Sequence, residues 1–180
     1  MRYFIHGYQS SPQGEKATLF KETLHTIPIA YRLGPPETLV ISKSLQQISA
    51  AIQQDKDVAL IGSSLGGFLA ASFALTHPVV QVLILLNPAI IPPDTDLRSI
   101  KGIPPRILKE MQNPDLFSKR ILATITILRA THDDVVPDQW VQCFASAQHA
   151  TIQYFDDDHR FSKNLQKLPG IISTILQHHP

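Results

Sequence analysis

The sequence predicts an α/β fold, a three-layer α/β/α sandwich with a mostly parallel six-stranded sheet. Short apolar or β-branched runs alternate with stretches of helical periodicity, the pattern of βα units feeding a sheet covered on both faces. The most apolar stretch, residues 57 to 91, is cut by Gly62-Ser63-Ser64, Gly66-Gly67 and Thr76-His77-Pro78 into pieces of strand and helix length. It therefore reads as the buried centre of a sheet, not a membrane span. A length of 180 residues, 43% hydrophobic and 17% charged, suits one soluble α/β domain with a substantial core.

The expected strands are Tyr3 to Ile5, Pro28 to Leu33, Val58 to Ile61, Gln81 to Leu86, Ala123 to Leu128 and Thr151 to Phe155. Between the first two, Pro12 stands where a first helical residue is favoured after Ser11. Leu45, Ile48 and Ile52 then repeat at helical spacing behind Ser42. Leu65 to Thr76 is a helix rich in glycine and alanine, able to pack closely. Pro137 suits the first turn of a helix whose apolar face is Trp140, Val141 and Phe144, and Pro169 opens a last helix carrying Ile172, Ile175 and Leu176. Residues 88 to 120 break the rhythm, with prolines at 88, 92, 93, 104, 105 and 114, and read as a short cap-like insertion over one sheet edge.

Composition narrows the function classes. A net charge of +1 gives no broad field for nucleic acid or anionic membranes. The single cysteine, Cys143, rules out an internal disulfide framework and a multi-cysteine zinc site, fits a reducing cytoplasm, and reads as a core residue on a helix face. Met1 to Gly7 holds one basic residue and no apolar core of signal-peptide length, so a cytoplasmic location is expected.

Gly62-Ser63-Ser64-Leu65-Gly66 fits G-x-S-x-G, the turn that lifts a nucleophilic serine above the end of a strand. The apolar strand before it and the small-residue helix after it are the context this turn requires. A serine hydroxyl needs a neighbouring base, and of eight histidines His159 follows the last strand, in a loop at the same end of the sheet as Ser64. His178 and His179 read as exposed residues at a helix end, and His25, His77 and His149 as helix-end or surface residues. Asp133 follows the preceding strand, where its carboxylate can meet His159. The order serine, acid, histidine is that of α/β-hydrolases. Backbone N–H groups of Leu65 and of Tyr8, in the loop after the first strand, are the candidate oxyanion donors, with His6 shaping that loop. Asp156, Asp157 and Asp158 are expected to crowd His159 with negative charge. His132, Asp133, Asp134, the same three aspartates and His159 leave a metal site as an alternative reading.

With these residues in place the sequence resembles the α/β-hydrolase superfamily, and within it the small bacterial YqiA-type esterases. The likeness rests on His6-Gly7-Tyr8 with Ser10-Ser11-Pro12 and Lys16-Ala17-Thr18, on Gly62 to Gly67, on Asn87-Pro88-Ala89 and on Asp158-His159-Arg160-Phe161. The resemblance implies a reduced α/β-hydrolase fold lacking the first two strands of larger relatives. It implies an esterase acting on a small-molecule acyl ester or thioester, with neither metal nor organic cofactor. The same framework also hosts acyltransferases and catalytically inactive binding proteins. The sequence leaves the oligomeric state open.

Overall fold

The computed structural model describes residues 1–178; His179, read above as an exposed helix-end residue, lies outside them. Its six strands are β1 (Arg2–Ile5), β2 (Ile27–Pro28), β3 (Val58–Ser63), β4 (Val80–Leu86), β5 (Thr124–Ala130) and β6 (Thr151–Phe155). They form one sheet in the order β2-β1-β3-β4-β5-β6, with every pairing parallel. The connecting helices are α1 (Glu15–Leu24), α2 (Ile41–Ile52), α3 (Leu65–Thr76), α4 (Pro105–Met111), α5 (Asp115–Ser118), α6 (Asp138–Gln148) and α7 (Leu168–Gln177).

Strand side chains point alternately to opposite faces, so each central strand feeds two cores. Leu60, Leu83, Leu85, Ile125 and Ile127 pack with Ile48 of α2, Phe68 of α3 and Phe144 of α6. Phe4, Ile61, Ile84, Leu86 and Leu128 pack with Phe20 of α1 and Ile172 of α7 on the other face. This gives the three layers expected. Chain order reverses between β1 and β3, the switch point at which open parallel sheets bind ligands outside the carboxyl ends of the strands.

Several local expectations need correction. The second strand is two residues long, pairing Ile27 with Tyr3 and Pro28 with Phe4, instead of running to Leu33. Pro28 cannot donate to a ladder, and Tyr31 and Arg32 leave the sheet to bind the loop after β1. Helix α1 starts at Glu15, not Pro12, because Ser11 caps a turn: Gln13 N–H donates to Ser11 Oγ (3.2 Å) and Gly14 N–H to Ser11 O (3.0 Å). Pro137 stands one residue before α6, and Pro169 is the second residue of α7. His25 and His149 end α1 and α6 in left-handed conformations, and His77 ends α3.

Cys143 is exposed on α6, whereas Val141 and Phe144 beside it are buried. The inward stripe of α6 passes through those two positions and misses 143. Residues 88 to 123 carry α4 and α5 and pack on the helical layer of α2, α3 and α6. Ile107, Leu108, Met111 and Leu116 are buried there, Gln148 of α6 donates to the carbonyls of Leu116 and Lys119 (both 2.7 Å), and Glu110 accepts from Ile41 N–H (2.8 Å). Among the described residues no helix is long and apolar enough to cross a membrane.

Candidate active site

Strand β3 delivers Ser64 into a backbone conformation that L-residues rarely adopt, φ 54° and ψ −119°. The turn closes because its neighbours lack side chains. A Cβ on Gly66 would lie 2.1 Å from Ile5 O and 2.6 Å from His6 O, and one on Gly62 would lie 2.4 Å from Gly66 O. These obstacles are backbone atoms of β1, of the loop after it and of α3, and cannot swing aside. Gly66→Ala is therefore expected to cost about 4 kcal/mol or more, enough to leave little folded protein, and denaturant unfolding of the soluble fraction checks it.

Ser64, His159 and Asp133 meet at the carboxyl end of the sheet. His159 Nε2 lies 3.1 Å from Ser64 Oγ, and its Nδ1 lies 2.9 Å from Asp133 Oδ2. A carboxylate only accepts, so the geometry assigns the proton to Nδ1 and leaves Nε2 to receive the serine hydroxyl. The Asp133 side chain is fully buried, and that of His159 is 17% exposed. Burial alone would push the Asp133 carboxyl up. Hydrogen bonds from His159 and from Val136 and Val135 N–H, with the charge of the histidine, outweigh it and hold the carboxyl below the usual carboxylate range. Asp134 is exposed and, among the described residues, accepts no hydrogen bond.

The loop after β1 reaches the same point, since a Cβ on Gly7 would lie 3.3 Å from Ser64 Cβ. It is held by residues read from sequence as strand. Tyr31 Oη donates to His6 O (3.2 Å) or Gly7 O (3.3 Å), and Arg32 donates to Tyr8 O (2.5 Å) and Ser10 O (2.7 Å). His6 is buried, stacks on Tyr31 with centroids 4.4 Å apart, and gives Nδ1–H to Gly7 O (2.8 Å). Burial lowers its pKa to about 4, so it stays neutral at physiological pH. The Gly7 carbonyl belongs to the peptide that carries Tyr8 N–H, and hydrogen bonds accepted at one end of a peptide strengthen the donor at the other. Among the described residues neither Tyr8 N–H nor Leu65 N–H has an acceptor. His6 thus shapes its loop, as expected.

The acidic run before His159 has a different part from the one expected. Asp156 pairs with Lys163 and His132, and Asp158 accepts from the N–H groups of Arg160 (2.9 Å) and Ser162 (3.1 Å). Asp157, 4% exposed, takes Asp158 N–H, Lys163 N–H, Asn164 N–H and Asn164 Nδ2 at 2.7 to 3.1 Å. Among the described residues none of the three bonds the His159 ring, and each has partners that build the loop. Among the described residues no three His, Cys, Asp or Glu side chains converge as a metal would require. For Asp157, burial is outweighed by the N–H groups of Lys163, Asp158 and Asn164, which hold the carboxyl below its ordinary value. Asp157→Asn should cost about 2 kcal/mol or more, because an amide cannot accept at both oxygens. The loss should be complete above the unfolded carboxylate value near 3.9 and should shrink as pH falls through the lower folded value, measured by urea unfolding at pH 6 and pH 3.

Two residues without an assigned role in the sequence complete the site. Asn87, buried at the end of β4 with φ 43°, donates from Nδ2 to His159 O (3.0 Å) and accepts Ala130 N–H at Oδ1 (2.8 Å). Arg129, 2% exposed in β5, bonds Asp133 Oδ2, Asn87 Oδ1, Asp138 Oδ1 and Val136 O. An arginine inside the apolar run Thr124 to Ala130 was the available signal, since a buried charge must be paired.

An all-parallel sheet with a strand, elbow and helix at β3–α3 defines an α/β-hydrolase fold. Solved structures agree. Est1E from Butyrivibrio proteoclasticus with ferulic acid bound is 18% identical with a TM-score of 0.81, covering 99% of this chain and 88% of its own. Mouse alpha/beta hydrolase domain-containing protein 10 is 21% identical with a TM-score of 0.76, over 98% and 89% of the two chains. A monoacylglycerol lipase from Paleococcus ferrophilus is 14% identical with a TM-score of 0.80, over 99% and 94%. No curated protein gives a significant sequence match. The family model described as "Uncharacterised protein family (UPF0227)" matches residues 1–175, and the chain belongs to that family, the YqiA-type family that the sequence resembles.

Proposed function

We propose that this protein hydrolyses carboxylic esters, and thioesters by the same chemistry, through an acyl-enzyme on Ser64. The observation that carries the reading is the continuous path from Ser64 Oγ through both nitrogens of His159 to the buried Asp133 carboxylate. Ser64 Oγ attacks the carbonyl carbon while its proton passes to His159 Nε2. The carbonyl oxygen becomes an oxyanion held by the N–H groups of Tyr8 and Leu65. His159 returns the proton to the leaving alcohol or thiol as the C–O or C–S bond breaks. Water then attacks the acyl-enzyme, giving its proton to His159, and the carboxylic acid leaves as Ser64 recovers its hydrogen. Asp133 holds the imidazole in the required tautomer throughout. No cofactor enters these steps.

Residues 88 to 120 supply the candidate cap, since Ala89 N–H donates to Ser64 O (3.0 Å) and roots that segment on the elbow. Three of its six basic residues pair with neighbouring acids, Arg98 with Asp96, Arg106 with Glu110 and Lys119 with Asp115. The test is labelling with a fluorophosphonate, followed by rates on a chain-length series of acyl esters and acyl-CoA thioesters. Label on Ser64 and Ser64-dependent turnover support the proposal; a stable, unlabelled and inactive protein points to a binding role and ends it.

A further inference from the structure

We infer that Arg129 is a positioning residue of the triad, whose charge limits how strongly Asp133 holds His159 in its protonated form. The inference rests on the catalytic reading above. Its basis is an oxygen shared between two donors. Asp133 Oδ2 accepts from both His159 Nδ1 (2.9 Å) and Arg129 Nη1, while Oδ1 accepts from the N–H groups of Val135 (2.8 Å) and Val136 (2.9 Å). The Asp133 side chain is fully buried and that of Arg129 is 3% exposed, so solvent does little to screen one from the other. The guanidinium is fixed in turn by Asn87 Oδ1 (3.3 Å), Asp138 Oδ1 (3.0 Å) and Val136 O (2.7 Å). Asn87 Nδ2 closes the ring by donating to His159 O (3.0 Å).

A buried carboxylate bonded to Nδ1 with no counter-charge favours imidazolium, and an imidazolium cannot take the Ser64 proton. Arg129 opposes that from the far side of the same oxygen. Other charged groups around the histidine loop engage elsewhere. Lys16 of α1 donates to Arg160 O, Asp156 pairs with Lys163 and His132, and Asp157 and Asp158 accept N–H groups of the loop. On the β1 side, Arg32 is bound to Tyr8 O and Ser10 O, and His6 to Gly7 O. Asp138, whose side chain is 53% exposed, draws on the guanidinium from its outer edge, and His159 is the titrating group that shares Asp133 with it.

The experiment follows the His159 ring by NMR titration in wild type, Arg129→Gln and Asp138→Asn, alongside pH–rate profiles on a neutral ester. Arg129→Gln should move the titration and the acidic limb of the profile to higher pH by about one unit, a shift of midpoint that is read independently of the plateau rate. Asp138→Asn removes an outer negative charge without opening the core and should move both midpoints to lower pH. If Arg129→Gln does not fold, Asp138→Asn decides alone. Midpoints that stay in place in the folded variants overturn the inference and leave Arg129 a structural ion pair. The NMR titration is independent of turnover. A shift in a protein without Ser64-dependent hydrolysis would therefore count against the esterase reading and not against this one.

Discussion

Ser64→Ala is expected to lower kcat by a factor of about 10⁴ to 10⁶ while the protein stays folded. The size follows from the role, because without Oγ no acyl-enzyme forms and only binding and the oxyanion donors remain to assist attack by water. The retained fold follows from the geometry. The left-handed φ of 54° at Ser64 belongs to a backbone fixed by Ser64 N–H to Leu86 O (2.9 Å) and by Gly67 and Ala89 N–H to Ser64 O (2.9 and 3.0 Å), and alanine disturbs none of these bonds. His159→Ala should cost about as much, and the double variant little more than either single one, because groups that act as one unit do not contribute additively. Steady-state kinetics on a short-chain activated ester, with circular dichroism on each variant, make the measurement. A Ser64→Ala protein with a tenth of wild-type kcat would remove the nucleophile assignment.

The parts legible in the sequence are those where one local demand leaves few solutions. The elbow is an example, since a short apolar strand, a turn crowded by backbone and a close-packing helix leave Gly62 and Gly66 little choice. The strand pattern was legible at β3 and β4, where alternation gives way to near-continuous apolar runs, and at β5 from its β-branched start, Thr124 to Ile127. It failed at β2. Tyr31 is buried like a strand residue, but it stacks on His6 in the loop after β1, and burial alone does not distinguish a ladder from a strut. The acidic run misled for a related reason. Three carboxylates beside a histidine suggest a charge effect, whereas a loop with a left-handed Phe161 must find acceptors for its N–H groups, and Asp157 and Asp158 supply them. Arg129 and Asn87 went unassigned because their partners lie on other elements. Asn87 joins β4 to β5 and to the His159 loop, a connection that no spacing within one segment reveals.

The two adjacent aspartates after β5 provide the other large expected effect, and they should separate cleanly. Asp133→Asn should lower kcat by about 10⁴, and Asp134→Asn should leave it within about twofold. Asp133 accepts at both oxygens, from His159 and Arg129 on Oδ2 and from two backbone N–H groups on Oδ1. An asparagine can offer its single oxygen to only one of these sides. If the oxygen stays with Val135 and Val136 N–H, the amide NH₂ faces His159 Nδ1 and donates to it. The imidazole then carries its proton on Nε2, where it points at Ser64 Oγ and cannot accept the hydroxyl proton. If the amide turns the other way, the N–H groups of Val135 and Val136 lose their acceptor and the loop before α6 loosens, so stability falls along with activity. Asp134 extends into solvent and bonds none of these groups. Rates on one ester, with urea unfolding of both variants, distinguish the outcomes. A folded Asp133→Asn enzyme near wild-type activity, or a loss concentrated at Asp134, would transfer the acid role away from Asp133.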